Sequence, residues 1–387
     1  MTTSVQGLVE PGFEAVADAF QRNFDDHGEV GAACSVVVEG RTVVDVWGGV
    51  ADPTTGRPYE RDALQVVFSC TKGAVAACAN ILVDRGVLDL DAPAAQAWPE
   101  FAQAGKADVP VRWLLTHQLG VLGTDPPLTP EEVYAWDPIV AALAAQAPEW
   151  EPGTSCTYHA LSWGWLVGEV LRRLDGRPLG RLVREELSDP LGLDLWVGLP
   201  ESEEHRIAPL FGEPARPAAI AKLPAALARA ASLGGTFAAP VQDRGNERAW
   251  RAAEIGAAGG VGDARSLARL YAGLVGPVEG APAAPVLSRQ QLDRARTVQA
   301  VAHIAVAAIP GLEIELPFGL GFMLPGPFAT TGGPGSFGHS GAGGALGCGD
   351  PDHGLGFGYA MNRLDMGLDP RARGLLAATY QSLGAPL

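Results

Sequence analysis

The first amphipathic pattern in the chain is PGFEAVADAFQRNFDDHG, residues 11–28. Phe13, Val16, Phe20 and Phe24 recur at helical spacing. Proline opens the segment and glycine closes it, so a helix is predicted. Two runs rich in β-branched residues follow, GAACSVVVEG (31–40) and RTVVDVWGGVAD (41–52). The Glu39-Gly40-Arg41 turn between them predicts a hairpin. FSCTKGAVAACANILVDRG is apolar almost throughout and predicts a helix over 71–84, with Gly86 beyond its end. VRWLLTHQLG (111–120) predicts a short helix. EPGTSCTYHALSWGWLVGEVLRRLDG (151–176) opens as a Pro-Gly turn and becomes an apolar helix ending in basic residues and glycine.

The C-terminal part returns to β-like patterning. FGLGFML (318–324), FGHSGAGGALG (337–347) and LGFGYAMNRL (355–364) predict consecutive strands, and PRARGLLAATYQSL (370–383) predicts a last helix. Residues 201–255 and 276–317 are rich in Ala, Pro and Gly and only weakly periodic, which suits cap-like loops. The fold class expected is α+β. Residues 1–70 and 318–387 together form an antiparallel sheet flanked by helices, and residues 71–317 form an inserted, mostly helical lobe. No internal repeat is visible.

The 387 residues suit one large domain or two intimately packed ones. A formal net charge of −16 repels phosphate backbones and anionic lipid, so neither nucleic acid nor a membrane is an expected partner. The five cysteines (Cys34, Cys70, Cys78, Cys156 and Cys348) are scattered, with no Cys-x-x-Cys pair. They read as buried small hydrophobes in a reducing compartment. The first residues carry no basic n-region followed by an apolar core, and no apolar run is long enough to span a bilayer. A cytoplasmic protein is expected.

Lysine occurs only at 72, 106 and 222. One of the three stands three residues after Ser69, on the same helix face if Ser69 opens the helix. Desolvation lowers the pKa of a buried lysine, and a neutral lysine can take the serine proton. The bland alternative is an N-capping serine and a surface lysine. The apolar flanks, Phe68 on one side and Gly73 to Ala77 on the other, oppose it, because an unpaired buried ammonium is costly. The stretch alone leaves both readings open. Two further stretches weigh in. Tyr158 follows the Pro152-Gly153 turn, where a hydroxyl can relay a proton, although a half-buried aromatic is the ordinary reading. FGHSGAGG (337–344) exposes backbone N–H groups and carries His339 and Ser340; a tight β-turn is its ordinary reading.

Taken together, these stretches resemble the serine β-lactamase and penicillin-binding-protein superfamily, most closely its class C-like branch and the family VIII carboxylesterases. The family's Ser-x-x-Lys, Tyr-x-Asn and Lys-Thr-Gly motifs correspond to Ser69-Cys70-Thr71-Lys72, Tyr158-His159-Ala160 and His339-Ser340-Gly341. LLTHQLG (114–120) resembles the family's Leu-Leu-Thr-His-Thr-Ser-Gly, and GGVGDARSLARL (259–270) resembles its helix opening after the middle lobe. The resemblance spans residues 12 to 383. It implies Ser69 as acylated nucleophile, Lys72 and Tyr158 as acid and base, and the backbone N–H groups of Ser69 and Ala342 as the oxyanion hole. It implies His159, His339, Ser340 and Gly341 as substrate contacts, and no cofactor or metal. Ala160 replaces the second-motif asparagine, and His339 replaces the permanent cation that would pair with a β-lactam carboxylate. Those departures favour a carboxylesterase for short or medium acyl esters over a β-lactamase or peptidase. A transacylase using an amine or alcohol acceptor shares the same acyl-enzyme, and a non-catalytic relative would lack one of Ser69, Lys72 and Tyr158.

Gly338-His339-Ser340-Gly341-Ala342 approaches the Gly-x-Ser-x-Gly nucleophile elbow. That elbow needs a helix, an acid and a histidine after it, and only His353 follows. The seven histidines form no His-x-x-x-His or His-x-His pair, which disfavours a metal hydrolase.

Overall fold

The computed structural model describes residues 5–212, 224–237, 241–282, 284–305, 313–326, 331–365 and 369–387. Parts of the cap-like regions expected at 201–255 and 276–317 therefore lie outside the described residues. The central sheet joins the two ends of the chain. It comprises β1 (Val5–Val9), β2 (Gly31–Val38), β3 (Arg41–Asp52), β4 (Arg57–Pro58), β10 (Phe337–Ser340), β11 (Leu346–Asp350) and β12 (Leu355–Met361). Its order is β1-β3-β2-β12-β11-β10, with β4 on β3, and all its pairings are antiparallel. The predicted hairpin is β2–β3, and its joint with the C-terminal strands is β2–β12, with Val36 opposite Phe357.

Alternation along β12 explains how the sheet is covered. Leu355, Phe357 and Tyr359 join a core with Val16 and Phe20 of the N-terminal helix (Glu14–Asp26) and Leu375, Leu376 and Tyr380 of the C-terminal helix (Arg371–Ser382). Gly356 and Gly358 face the other way, against the helix Ala264–Val275. A Cβ on Gly356 would come within 2.2 Å of the Ala268 carbonyl oxygen, and one on Gly358 within 2.0 Å of that of Ala264. Glycine on this face lets the helix lie directly on the backbone of the sheet.

The second core is built around the helix Cys70–Asp84, whose residues 70–82 are all buried. A helix apolar on every side belongs inside a protein. Trp163, Trp165 and Leu166 from the helix Trp163–Asp175 pack in this core, with Leu114 and Leu115 from the short helix Val111–Leu115. A three-stranded sheet links the lobes: β5 (Gln65–Val66), β7 (Gly260–Gly262) and β6 (Leu195–Val197). β8 (Ala300–Ala305) and β9 (Glu313–Phe318) form a separate ribbon.

Two expectations need adjustment, at 318–324 and at 264–275. The strand expected at 318–324 ends at Phe318, because Gly321 adopts a positive φ of 85° and the chain turns back there. The apolar helix expected within 151–176 is Trp163–Asp175, and the turn and loop before it carry Tyr158. The helix 264–275, assigned by position to the 71–317 lobe, packs on the central sheet, so packing does not follow a boundary at 317. Among the described residues no helix is long and apolar enough to cross a membrane.

Candidate active site

Ser69 stands at the N-cap of the Cys70–Asp84 helix, yet its side chain makes no capping bond. The hydroxyl is instead the meeting point of two other side chains. Tyr158 Oη donates to Ser69 Oγ at 2.9 Å, and Lys72 Nζ lies 3.4 Å from the same oxygen. One turn of helix brings Lys72 to the serine, and the loop before Trp163 brings Tyr158 across from the other side.

Local backbone geometry fixes the serine. Phe68 carries a positive φ of 45°, uncommon for a bulky residue, so the chain bends sharply just before the nucleophile candidate. Thr71 holds the bend: its Oγ1 donates to the Phe68 carbonyl and accepts from the Gly260 N–H at 2.8 Å. β7 is thereby tied to the first helical turn.

Lys72 is fully buried, and two backbone carbonyls surround its nitrogen, Ala160 at 2.8 Å and Ala257 at 2.9 Å. Among the described residues no carboxylate bonds to it. Burial pushes its pKa well below the ordinary lysine value. In the neutral amine the two N–H groups serve the carbonyls, and the lone pair is left for Ser69 Oγ. Tyr158 is shifted the opposite way. Burial raises its pKa, partly offset by the bond to Ser69, so its hydroxyl keeps its proton. The Lys72 nitrogen also lies 4.8 Å from the centre of the Tyr158 ring.

The third-motif segment forms β10, the edge strand beside the serine helix. Cys70 Sγ donates to the His339 carbonyl at 3.2 Å, clamping β10 to the helix. Gly341 sits against the Val67 carbonyl, where a Cβ would come within 2.3 Å. The segment ending in Ala342 therefore lies on the residues that lead into Ser69. Ser340 and Ala342 are partly exposed here. His339 is buried, 1% exposed, and burial lowers its pKa to about 3. The lowered pKa favours the neutral ring, whose Nδ1 donates to the Ser340 carbonyl at 2.7 Å.

His159, expected as a substrate contact, is also buried, and both ring nitrogens are committed to backbone. Nε2 accepts from Gly120 N–H at 3.1 Å, and Nδ1 donates to the Thr157 carbonyl at 2.6 Å. It braces the loop that carries Tyr158 and leaves no polar atom for a ligand. His117 completes the brace. Its Nδ1 accepts the His159 N–H at 3.2 Å, and its ring packs 5.1 Å from Tyr158 and 4.5 Å from Phe318. No role was read for His117 from the sequence. Its signal was a histidine closing an apolar helix, in a family-like segment. Phe318 was likewise missed; it stacks on Tyr158 at 6.0 Å, 3° from parallel. Around it lies an apolar wall of Ala302, Phe318 and Met323, with Cys156, Tyr158 and Leu316 packed against them.

Among the described residues no group of three or more His, Cys, Asp or Glu could hold a metal ion, and all five cysteines are free thiols. A family model for β-lactamase matches residues 16–381. The esterase/β-lactamase LipL of Mycobacterium tuberculosis is 37% identical over 286 residues, 71% of this chain and 66% of that protein. Esterase EstB of Burkholderia gladioli is 31% identical over 183 residues, 42% of this chain and 46% of EstB. The chain thus spans about two thirds of one of these relatives and under half of the other. Among solved structures, a family VIII carboxylesterase superposes with a TM-score of 0.86 at 36% identity, covering 98% of this chain and all of that one. A penicillin-binding-protein homologue from Caulobacter crescentus matches equally well, with the same score, identity and coverage. The matched span runs from the N-terminal helix to the C-terminal helix and takes in the serine, the lysine and the tyrosine: this chain belongs to the β-lactamase family.

Proposed function

We propose that the protein is a serine carboxylesterase for short or medium acyl esters, working through an acyl-enzyme on Ser69. One observation carries the reading: the Ser69 hydroxyl is held between the buried Lys72 nitrogen, whose pKa burial lowers, and the Tyr158 hydroxyl, whose pKa burial raises. Lys72 takes the Ser69 proton as Oγ bonds to the ester carbonyl carbon. The carbonyl oxygen becomes an oxyanion, received by the backbone N–H groups of Ser69 and Ala342. The carbon–oxygen bond to the alcohol then breaks, and the leaving alkoxide takes a proton from the Lys72–Tyr158 pair. Water adds to the acyl-enzyme, gives its proton to the same pair, and the carboxylic acid departs as Ser69 recovers its hydrogen.

His339 argues for esters over β-lactams. A neutral, buried imidazole offers no permanent charge to a substrate carboxylate. The side chains packed beside Tyr158, buried Phe318 and Met323 and partly exposed Leu316, are apolar, which suits an uncharged acyl or alcohol group there. The esterase names of LipL and EstB, and of the family VIII structure, support the same class.

The test is hydrolysis of p-nitrophenyl butyrate by wild type and Ser69→Ala, with a chromogenic cephalosporin in parallel. Ester turnover lost in Ser69→Ala, with little cephalosporin turnover, is the expected result. Turnover that survives the substitution would sink the assignment of Ser69. Mass spectrometry of the intact protein during turnover should show the acyl adduct on wild type alone.

A further inference from the structure

Arg371 opens the C-terminal helix, is 0% exposed, and spends its whole guanidinium inside the protein. Nη1 meets both Glu29 oxygens at 2.9 Å. Nε and Nη2 grip Asp369, the closest contact being 2.7 Å. Nη2 also donates to the Arg363 carbonyl at 3.0 Å and the Gly343 carbonyl at 3.1 Å. Tyr359 of β12 donates to Glu29, so the sheet joins the network as well. Burying three charges is expensive, and such a network is weak evidence for stability by itself. What it touches indicates its use.

Gly343 directly follows Ala342. The turn from Gly341 to Ala345 is closed by Gly341 N–H to the Ala345 carbonyl at 2.7 Å. Its far side is fixed by the Gly343 carbonyl, which accepts from Arg371 and from the Asp365 N–H at 3.0 Å. Its near side rests on the Val67 carbonyl, through Gly341. Gly344 lies against Asp369, where a Cβ would come within 2.4 Å of Oδ2. The turn that presents Ala342 N–H is thus held between the serine segment and a buried arginine.

We propose that Arg371 is a positioning residue for the oxyanion hole: through the Gly343 carbonyl it fixes the turn that aims Ala342 N–H at the attacked carbonyl oxygen. The proposal rests on the acyl-enzyme reading above. The guanidinium suits the task because its planar fork reaches Glu29, Asp369 and the carbonyl in fixed directions at once. A lysine keeps the charge but cannot span all three.

The experiment compares wild type, Arg371→Lys and Asp369→Asn with p-nitrophenyl butyrate and with a trifluoromethyl ketone, which adds to a serine and places an oxyanion in the hole. Active sites are counted by titration with paraoxon, so that misfolded protein is excluded. In Arg371→Lys, kcat per active site should fall about ten- to a hundredfold, less than the loss of an oxyanion donor outright. KM should stay within about threefold, and ketone affinity should weaken by the same factor as kcat/KM. A purely structural role would lower the titrated fraction and leave kcat per site and ketone affinity unchanged, which overturns the proposal. Where Arg371→Lys does not fold, the partly exposed Asp369 supplies the reading, and unchanged ketone affinity in Asp369→Asn is equally fatal. Normal behaviour of these variants beside an inactive Ser69→Ala removes Arg371 alone. Turnover that survives Ser69→Ala removes the acyl-enzyme reading and this proposal together.

Discussion

Lowering the pH from 7 to 5 should destabilise this protein steeply, because three buried histidines around Tyr158 fold as neutral rings. Burial lowers His339 to about 3 and His159 to about 4, and puts His117 well below the ordinary 6.5. Hydrogen bonding agrees for two of them: His159 Nε2 accepts from Gly120 N–H and His117 Nδ1 accepts from His159 N–H, so protonation breaks a bond in each. The unfolded chain takes up these protons near pH 6.5 and the folded one does not. The histidines therefore cost no stability above 6.5 and progressively more as pH falls below it, until the folded values are reached. Integrating from pH 7 to pH 5 gives about 2 kcal/mol for each ring, or about 6 kcal/mol for three, against a typical domain stability of about 5–15 kcal/mol. Urea midpoints at pH 7, 6 and 5 measure the fall. His339→Gln removes one titrating ring and should shrink the loss by about a third. A midpoint that stays flat between pH 7 and 5, or a loss untouched in His339→Gln, refutes the neutral-histidine argument.

The pH–rate profile follows from the opposed shifts of Lys72 and Tyr158. A base with a depressed pKa is active above that value, and a tyrosine with a raised pKa keeps its proton until strongly alkaline pH, so kcat/KM should rise at acid pH and hold a broad plateau beyond neutrality. A profile that climbs only near pH 10 would mean that Lys72 is an ordinary ammonium. Gly73→Ala should disturb the site without touching a reacting group: its Cβ would land 2.1 Å from Tyr271 Oη, inside a core with no room to yield. Overpacking of this kind costs about 1–3 kcal/mol, and because the Tyr271 hydroxyl has no hydrogen-bond partner among the described residues, adding Tyr271→Phe should restore much of the melting temperature and of kcat; equal melting points for the single and double variants would refute that contact.

The sequence disclosed what local chemistry decides and concealed what packing decides. Ser69 and Lys72 were legible because a lysine in an all-apolar helix demands an explanation, and Tyr158 because a Pro-Gly turn presents it. His159 was misread since adjacency in sequence says little about direction: Tyr158 reaches Ser69, while the next ring turns into the backbone of Gly120 and Thr157. The strand that carries His339 was legible, but the charge of the ring depends on burial that no single stretch reports. The helix 264–275 was assigned to the wrong neighbours because its partner strand lies some ninety residues onward; Gly356 and Gly358, two residues apart on one face, were the available signal. β1 was missed because an edge strand with an exposed centre, VQGLV, lacks the alternation that marks a half-buried one.

The position of the serine helix explains why so small a site depends on so much of the chain. Cys70 belongs to the core beneath the sheet, and the residues from Ala74 to Leu82 belong to the core of the helical lobe. Ser69 and Lys72 therefore sit where the two cores meet, and Phe337 of β10 and Tyr271 of the helix 264–275 join the second of them. Sheet and lobe each supply what the other lacks: β10 and the turn after it come with the sheet, while Tyr158, His117 and His159 come with the lobe. Thr71 binds the helix to β7, and Cys70 binds it to β10, so the helix is fastened to both sides within its first turn. Tight, low-compressibility packing transmits small displacements, so the 2.9 Å contact between Tyr158 and Ser69 depends on the packing of both cores. Phe318, Met323 and Leu316 approach the same joint from the β8–β9 ribbon and its continuation, and Met323 is paired with Gly338 of β10 through Met323 N–H to the Gly338 carbonyl at 2.9 Å and Gly338 N–H to the Met323 carbonyl at 3.0 Å. The ribbon therefore reaches the serine site through β10 and the ring of Tyr158, the same two elements that the sheet and the helical lobe supply.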